Sequence, residues 1–167
     1  MSVQQHRETS PDTVRCAVLT VSDTRTAATD TSGRAIADLL RAGGHDVVLQ
    51  RIVADDPLAV VASIRDVLAL DDVPVIVTTG GTGITSRDST YEAVIPLMEK
   101  QLSGFGELFR MLSYAEIGAA AIMTRATAGV IGRRAVFVLP GSEHAVRLAL
   151  TRLIVPELRH VVRELHR

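Results

Sequence analysis

The apolar positions of this chain follow two alternating periods. Short apolar runs bounded by turn residues, the mark of buried strands, alternate with stretches in which apolar residues recur every three or four positions, the mark of helices with one buried face. Residues 14–21 read as a first buried strand. A helix over residues 31–42 follows, with Asp30 at its cap and Gly43 and Gly44 as its stop. A second strand spans residues 47–53, and a second helix runs from Pro57 to Leu70, capped by Asp56, with proline at the first helical position where a missing N–H costs nothing. A third strand covers residues 74–79, and a helix is expected from near Ser89, whose spacing to Glu92 is that of a capping box.

Strand-to-helix units in series predict a mostly parallel sheet with helices on both faces. Residues 101–123 are expected to be helical with interruptions at Gly104, Gly106 and Gly118. Residues 128–130 and 134–139 read as a hairpin across Gly132, which would make the sheet mixed. A helix is expected over residues 142–153, and Pro156 is read as starting a separate last helix with Leu158, Val161, Val162 and Leu165 on one face. No internal linker or repeat interrupts the pattern. One α/β domain over residues 14–167 is expected, preceded by a loose tail over residues 1–13.

Composition narrows this picture. The 167 residues are 47% hydrophobic but only 3% aromatic, without Trp, so aliphatic side chains must fill the core, as suits a sheet covered by helices. A formal net charge of -1 supplies no basic field for nucleic acid or an anionic membrane. The amino-terminal residues are polar with no signal-peptide core, and no apolar run approaches the roughly 18 residues of a membrane span. The single Cys16, inside an apolar run, reads as a buried structural thiol, and a reducing, cytoplasmic location is expected. The histidines show no metal-ligand spacing, with His144 read as first-turn helix surface, and the absence of a serine nucleophile elbow or a CxxC pair speaks against covalent hydrolase and redox chemistry.

In an open parallel sheet, ligands bind beyond the carboxyl ends of the strands, where loops and helix amino-termini bring unpaired N–H groups together. Three short turns stand at such points: Ser22-Asp23-Thr24, Thr79-Gly80-Gly81-Thr82-Gly83, and Pro140-Gly141-Ser142. The glycine-rich turn lacks the Lys of a Walker A loop and the third glycine of a dinucleotide fingerprint. A cradle for an anion or planar ring and a plain turn both fit it. With Asp56 and Ser89 assigned to helix caps, Asp55 and Asp88 are left without structural duty. They are oxygen ligands for a Mg²⁺ carried by a nucleoside triphosphate, or else solvated surface acids. Asp23 and Asp30 fit turn and cap roles, and Arg87, Arg110 and Arg125 fit either phosphate contacts or ordinary ion pairs.

Taken in order, Ser22-Asp23, Asp30-Thr31-Ser32-Gly33, Thr78-Thr79-Gly80-Gly81-Thr82-Gly83, Arg87-Asp88-Ser89-Thr90, Gly104-Phe105-Gly106-Glu107 and Pro140-Gly141-Ser142 resemble the MoaB/Mog family of molybdenum-cofactor biosynthesis proteins, from about Val14 to about Leu158. The segment around Phe105 and Glu116-Ile117-Gly118 is closer to the MoaB branch. The resemblance implies a three-layer α/β/α sandwich of the molybdopterin-binding-domain type with a mostly parallel, mixed sheet, assembled as a homotrimer or hexamer. It implies Mg-ATP-dependent adenylylation of molybdopterin, giving adenylyl-molybdopterin and pyrophosphate, with the product passing to a downstream molybdate-insertion step. The catalytic and Mg²⁺-binding acids of such enzymes fall on Asp55 and Asp88. Thr20, Ser22, Asp23, Thr79, Gly80, Gly81, Thr82, Gly83, Arg87, Thr90, Pro140, Gly141 and Ser142 would hold molybdopterin and nucleotide. Thr20 stands where relatives often carry Ser, and Ala27-Ala28 replaces a glycine common before the Asp30 motif. The alternative reading is a molybdopterin carrier that uses the same pocket without catalysis.

Overall fold

The computed structural model describes residues 11–167, so the expected tail lies almost wholly outside the described residues. Strand β1 (Arg15–Val21) sends Cys16 and Val18 to one face and Ala17, Leu19 and Val21 to the other, the alternation that a strand buried on both sides requires. Helix α1 (Thr31–Ala42) starts where the Asp30 carboxylate accepts the Gly33 N–H at 2.8 Å and stops at Gly43. After β2 (Asp46–Val53), helix α2 (Pro57–Leu68) is capped by Asp56, which accepts the Ala59 N–H at 2.9 Å. It ends at Leu68 rather than Leu70, ahead of a turn that places Asp72 at φ 56°.

The remaining strands are β3 (Val75–Thr79), β4 (Lys100–Gln101), β5 (Thr127–Ile131) and β6 (Arg134–Leu139), giving a six-stranded sheet in the order β2-β1-β3-β6-β5-β4. The first four of these neighbours run parallel, while β5 pairs antiparallel with both β6 and β4, so the sheet is mixed as expected. On one face α1, α4 (Ser103–Ile117), α5 (Glu143–Ala149) and α6 (Val155–Leu165) close a core around Ile36, Phe109, Leu150 and Leu158. On the other, α2 and the short α3 (Thr90–Val94) cover Val60, Ile64, Ile76 and Val136. This is a three-layer α/β/α sandwich.

Three expectations are corrected. Lys100 and Gln101 pair as an edge strand, so the helix begins at Ser103, and Gly104 and Gly106 lie inside it without interrupting it. Gly106 instead allows close approach: a Cβ there would stand 2.9 Å from the Ala126 carbonyl. The two carboxyl-terminal helices are not separate. Pro156 has no N–H to offer the turn before it, and the chain widens into a π turn over Leu150–Ile154, where the Val155 N–H bonds to the Leu150 carbonyl, so that α5 runs into α6. The third correction is the capping box. The Ser89 hydroxyl makes no cap bond and is buried without a partner, while Glu92 turns to Arg125.

Candidate active site

Because β1, β2, β3 and β6 are parallel, their carboxyl ends share one edge of the sheet, and the loops after Val21, Val53, Thr79 and Leu139 meet there. The Gly80 N–H extends the ladder onto the Leu139 carbonyl at 3.1 Å. The chain then turns through Gly80 at φ 100° and Gly81 at φ 66°, the left-handed region that favours glycine. Space is as decisive as backbone angle. A Cβ on Gly80 would lie 2.3 Å from the Val21 carbonyl oxygen, and one on Gly81 would lie 2.1 Å from Thr90 Oγ1 and 3.2 Å from Asp55 Oδ1.

The Pro140-Gly141 turn is held from two sides: Thr79 Oγ1 donates to the Pro140 carbonyl at 2.8 Å and Ser32 Oγ to the Gly141 carbonyl at 2.7 Å. Ser142 caps α5 by accepting the Ala145 N–H at 3.2 Å. On the β1 side, buried Thr20 donates to Asp30 at 2.7 Å, and the Ser22 hydroxyl accepts from the Thr24 and Arg25 N–H groups at 3.2 and 3.1 Å. The side chains of Thr20, Ser22, Thr79 and Ser142 are therefore engaged in shaping loops.

Three acids converge beyond these loops. Asp23 Oδ1 accepts the Asp55 N–H at 2.9 Å, and Asp23 Oδ2 pairs with the Arg87 guanidinium. The Asp55 side chain keeps Oδ1 buried with no partner, and buried Thr90 Oγ1 is likewise unpartnered. Burial pushes the Asp55 carboxyl above its ordinary value, the Asp23 and Asp88 charges push it further, and Arg87 opposes them. Asp88 is not spare. Its Oδ2 accepts from the Thr85 hydroxyl at 2.6 Å and the Thr85 N–H at 2.9 Å, closing the loop over residues 85–88. The Thr85 hydroxyl, then the Thr85 and Gly83 N–H groups and the Arg125 charge, hold its carboxyl below the usual range against the opposing effect of burial.

The structure thus brings Asp23, Asp55, Gly80, Gly81, Gly83, Arg87, Asp88, Thr90 and the Pro140-Gly141 turn to one edge. Arg110 is elsewhere, reaching toward the Ala126 carbonyl at 3.5 Å. Arg125 comes to the back of the glycine loop, donating to the Thr82 and Gly83 carbonyls at 3.0 and 2.6 Å. Sequence reasoning overlooked Thr85 and Ser32 as supports. The spacing of Thr85 to Asp88 is a local signal for such a loop closure, whereas nothing local in sequence ties Ser32 to Gly141.

Among the described residues, no group of three or more His, Cys, Asp or Glu side chains is arranged to hold a metal ion. Asp55, with its buried unpartnered Oδ1, and the neighbouring Asp88 still suit Mg²⁺, which takes one or two protein carboxylates and completes its shell with phosphate oxygens and water. Cys16 is buried and its thiol is pushed up to about 12, mainly by burial, so it stays inert. His144, on the surface as expected, bonds Glu116 at 2.6 Å.

Residues 17–160 match the family described as a probable molybdopterin binding domain. The chain belongs to this family. It is 52% identical over 168 aligned positions to molybdenum cofactor biosynthesis protein B of Bacillus subtilis, covering 100% of this chain and 99% of that protein. A crystal structure of a molybdenum cofactor biosynthesis protein B superposes with a TM-score of 0.91 at 51% identity, over 94% of this chain and 98% of that one. The tungsten cofactor synthesizing protein MoaB from Pyrococcus furiosus superposes with a TM-score of 0.85 at 40% identity, over 95% and 100% of the two chains. A role in molybdenum cofactor biosynthesis follows for this family member. No helix among the described residues is long and apolar enough to cross a membrane.

Proposed function

We propose that this member of the molybdopterin-binding family adenylylates molybdopterin with Mg-ATP. The observation that carries the reading is the pair Asp55 and Asp88 beside the glycine loop, with a buried, unpartnered Asp55 Oδ1 facing Gly81 and Thr90. A site that only bound a pterin would have no reason to gather three acids, since, beyond the effect of burial, the charges of Asp23 and Asp88 raise the Asp55 carboxyl further. A polyphosphate arriving with its cation gives that repulsion a purpose.

In this reading a terminal phosphate oxygen of molybdopterin attacks the α-phosphorus of ATP, the bond from that phosphorus to the β-phosphate bridge breaks, and pyrophosphate leaves with the electron pair. The attacking oxygen is already anionic, so no general base is needed and positioning does most of the catalysis. Asp55 and Asp88 would hold the Mg²⁺, which supplies charge neutralisation along the triphosphate. The backbone from Gly80 to Gly83 and the Pro140-Gly141 turn would take phosphate and pterin edges, and Arg87 would exchange Asp23 for a phosphate. Thr90 would face the ligand, while Thr20, Ser22, Asp23, Thr79, Thr82 and Ser142 would keep the loops in shape.

The stripe of exposed apolar residues on α4, with Met111, Tyr114 and Ile117 at every third position, supports homo-oligomer formation. The product would pass to a molybdate-insertion protein. Pterin-dependent pyrophosphate release from ATP and Mg²⁺ tests the reading. Release at one equivalent per molybdopterin supports it. Tight molybdopterin binding without release makes the protein a carrier.

A further inference from the structure

Arg125 lies outside every turn at the carboxyl edge of the sheet, yet it grips the glycine loop. It sits between the 3₁₀ turn over Gly118–Met123 and β5, and reaches across 42 and 43 positions of sequence to Gly83 and Thr82. Nε donates to the Thr82 carbonyl at 3.0 Å, and Nη2 donates to the Gly83 carbonyl at 2.6 Å and to Glu92 at 3.3 Å. Nη1 pairs with the same carboxylate, and the guanidinium lies 5.1 Å from the Tyr91 ring centroid. These four contacts engage a guanidinium that has five N–H groups, so little of it is left for a phosphate.

The carbonyl before these two is also taken. Gly81 accepts the Thr90 N–H at 2.9 Å, so the carbonyls of Gly81, Thr82 and Gly83 all have donors. Those donors lie together, because Thr90 and the Tyr91 beside Arg125 are the first two residues of α3. In a planar trans peptide group the C=O and N–H point in opposite directions. Carbonyls drawn toward α3 therefore turn the N–H groups that follow them away from it. The Thr82 and Ile84 N–H groups make no hydrogen bond to any described residue. Neighbouring N–H groups turned outward together form a backbone nest, the arrangement that takes an anion. A carbonyl that accepts a charged donor also strengthens the N–H of its own peptide group, because hydrogen bonds in a chain polarise one another.

We infer that Arg125 is a positioning residue for the glycine loop: through the Gly83 carbonyl it aims and strengthens the Ile84 N–H as a donor to a phosphate or pyrophosphate group. The Thr90 N–H does the same for the Thr82 N–H through the Gly81 carbonyl, and Glu92 and Tyr91 fix the guanidinium. That the bound group belongs to ATP rests on the adenylylation reading above. The geometry of the loop does not. The same contacts assign Glu92 a purpose that its place in the first turn of α3 does not reveal.

Backbone NMR with magnesium pyrophosphate as the probe tests this in wild type, Arg125→Ala and Arg125→Lys. In wild type the probe should displace the Thr82 and Ile84 amide resonances, and resonances that ignore it would overturn the inference. Without the probe, Arg125→Ala should move the Gly83 carbonyl and Ile84 amide resonances, while the Gly80 amide, held by the Leu139 carbonyl, keeps its place. Affinity for the probe should fall about tenfold, the size of one hydrogen bond lost. Arg125→Lys keeps the charge but cannot fork across two carbonyls, so its affinity should also stay below wild type. Full affinity in the Lys variant would make Arg125 a plain charge beside the phosphate and overturn the positioning role. So would an unchanged Ile84 amide and affinity in Arg125→Ala, or a displacement that reaches Gly80 equally, the mark of a loop that has collapsed. If the Ala variant does not fold, the Lys variant decides by the same measures. Shifts and affinities as stated in a protein whose wild type releases no pyrophosphate from ATP with molybdopterin would uphold the positioning role and defeat the adenylylation reading.

Discussion

The carboxylate of Asp23 holds Asp55 in place from the backbone side, accepting its N–H at 2.9 Å, while its charge raises the very carboxyl it positions. Asp23→Asn keeps an acceptor oxygen and removes that charge. The Asp55 midpoint should therefore fall toward the ordinary carboxylate value, as read by carboxyl NMR. A midpoint that stays where the wild type has it would show that burial and the Asp88 charge set Asp55 without Asp23.

Asp55 also carries a stability cost with a definite pH window. Its folded-state value lies above the unfolded one, so its contribution is most favourable at acid pH, below the unfolded value, and is lost as pH rises through the folded value. Asp55→Asn removes the charge and should raise the melting temperature at pH 7. At this chain length 1 kcal/mol corresponds to about 2–4 °C. Solvent screening reduces the effect of the neighbouring charges, so an increase of about 1–2 °C is expected. The gain should vanish near pH 3, and pyrophosphate release should be lost throughout. Equal melting temperatures of both proteins at pH 7 would contradict the origin given for the shift.

Two glycines of the chain should respond oppositely to alanine. Gly81 sits at φ 66°, and a Cβ there would collide with Thr90 Oγ1. Left-handed strain of about 1–2 kcal/mol adds to an overpacking cost of about 1–3 kcal/mol, so Gly81→Ala should destabilise by at least about 2 kcal/mol in urea unfolding. Gly104 lies in the first turn of α4 with nothing within 4 Å of a Cβ. Gly104→Ala should be neutral or stabilising by up to about 1 kcal/mol.

The α4 stripe predicts assembly. Met111, 60% exposed at the middle of Leu108, Met111, Tyr114 and Ile117, is the position where a charge would be most costly if copies of this chain pack there. Met111→Glu should lower the mass seen by light scattering to that of one chain, with an unchanged circular dichroism spectrum. An assembly that survives the substitution would place the interface elsewhere.

Much of the fold was readable because period and punctuation agree locally. Asp30 and Gly43 bracket α1, and Asp56 with Pro57 opens α2, since capping acts within a turn of chain. What depends on distant partners was not readable. Ser89 and Glu92 have the spacing of a capping box, but Arg125 arrives from 33 positions away and takes Glu92. Pro156 reads as a helix start, whereas packing of Leu150, Ile154 and Leu158 in one core favours a continuous rod widened at a π turn. The glycine loop and the two acids were legible as candidates from their place after strands. The sharing of Asp23 between Asp55 and Arg87 needed the fold, because it joins three loops.

The central claim is that the acids beside the glycine loop carry adenylyl transfer, and pyrophosphate release with molybdopterin, ATP and Mg²⁺ tests it in wild type, Asp55→Ala and Asp88→Ala. Wild type should release one pyrophosphate per molybdopterin adenylylated. Each variant should be slower by about 10²-fold or more, the loss typical of removing one preorganised electrostatic group from an active site. Wild-type protein that binds molybdopterin but releases no pyrophosphate, or variants that match the wild-type rate, would contradict it.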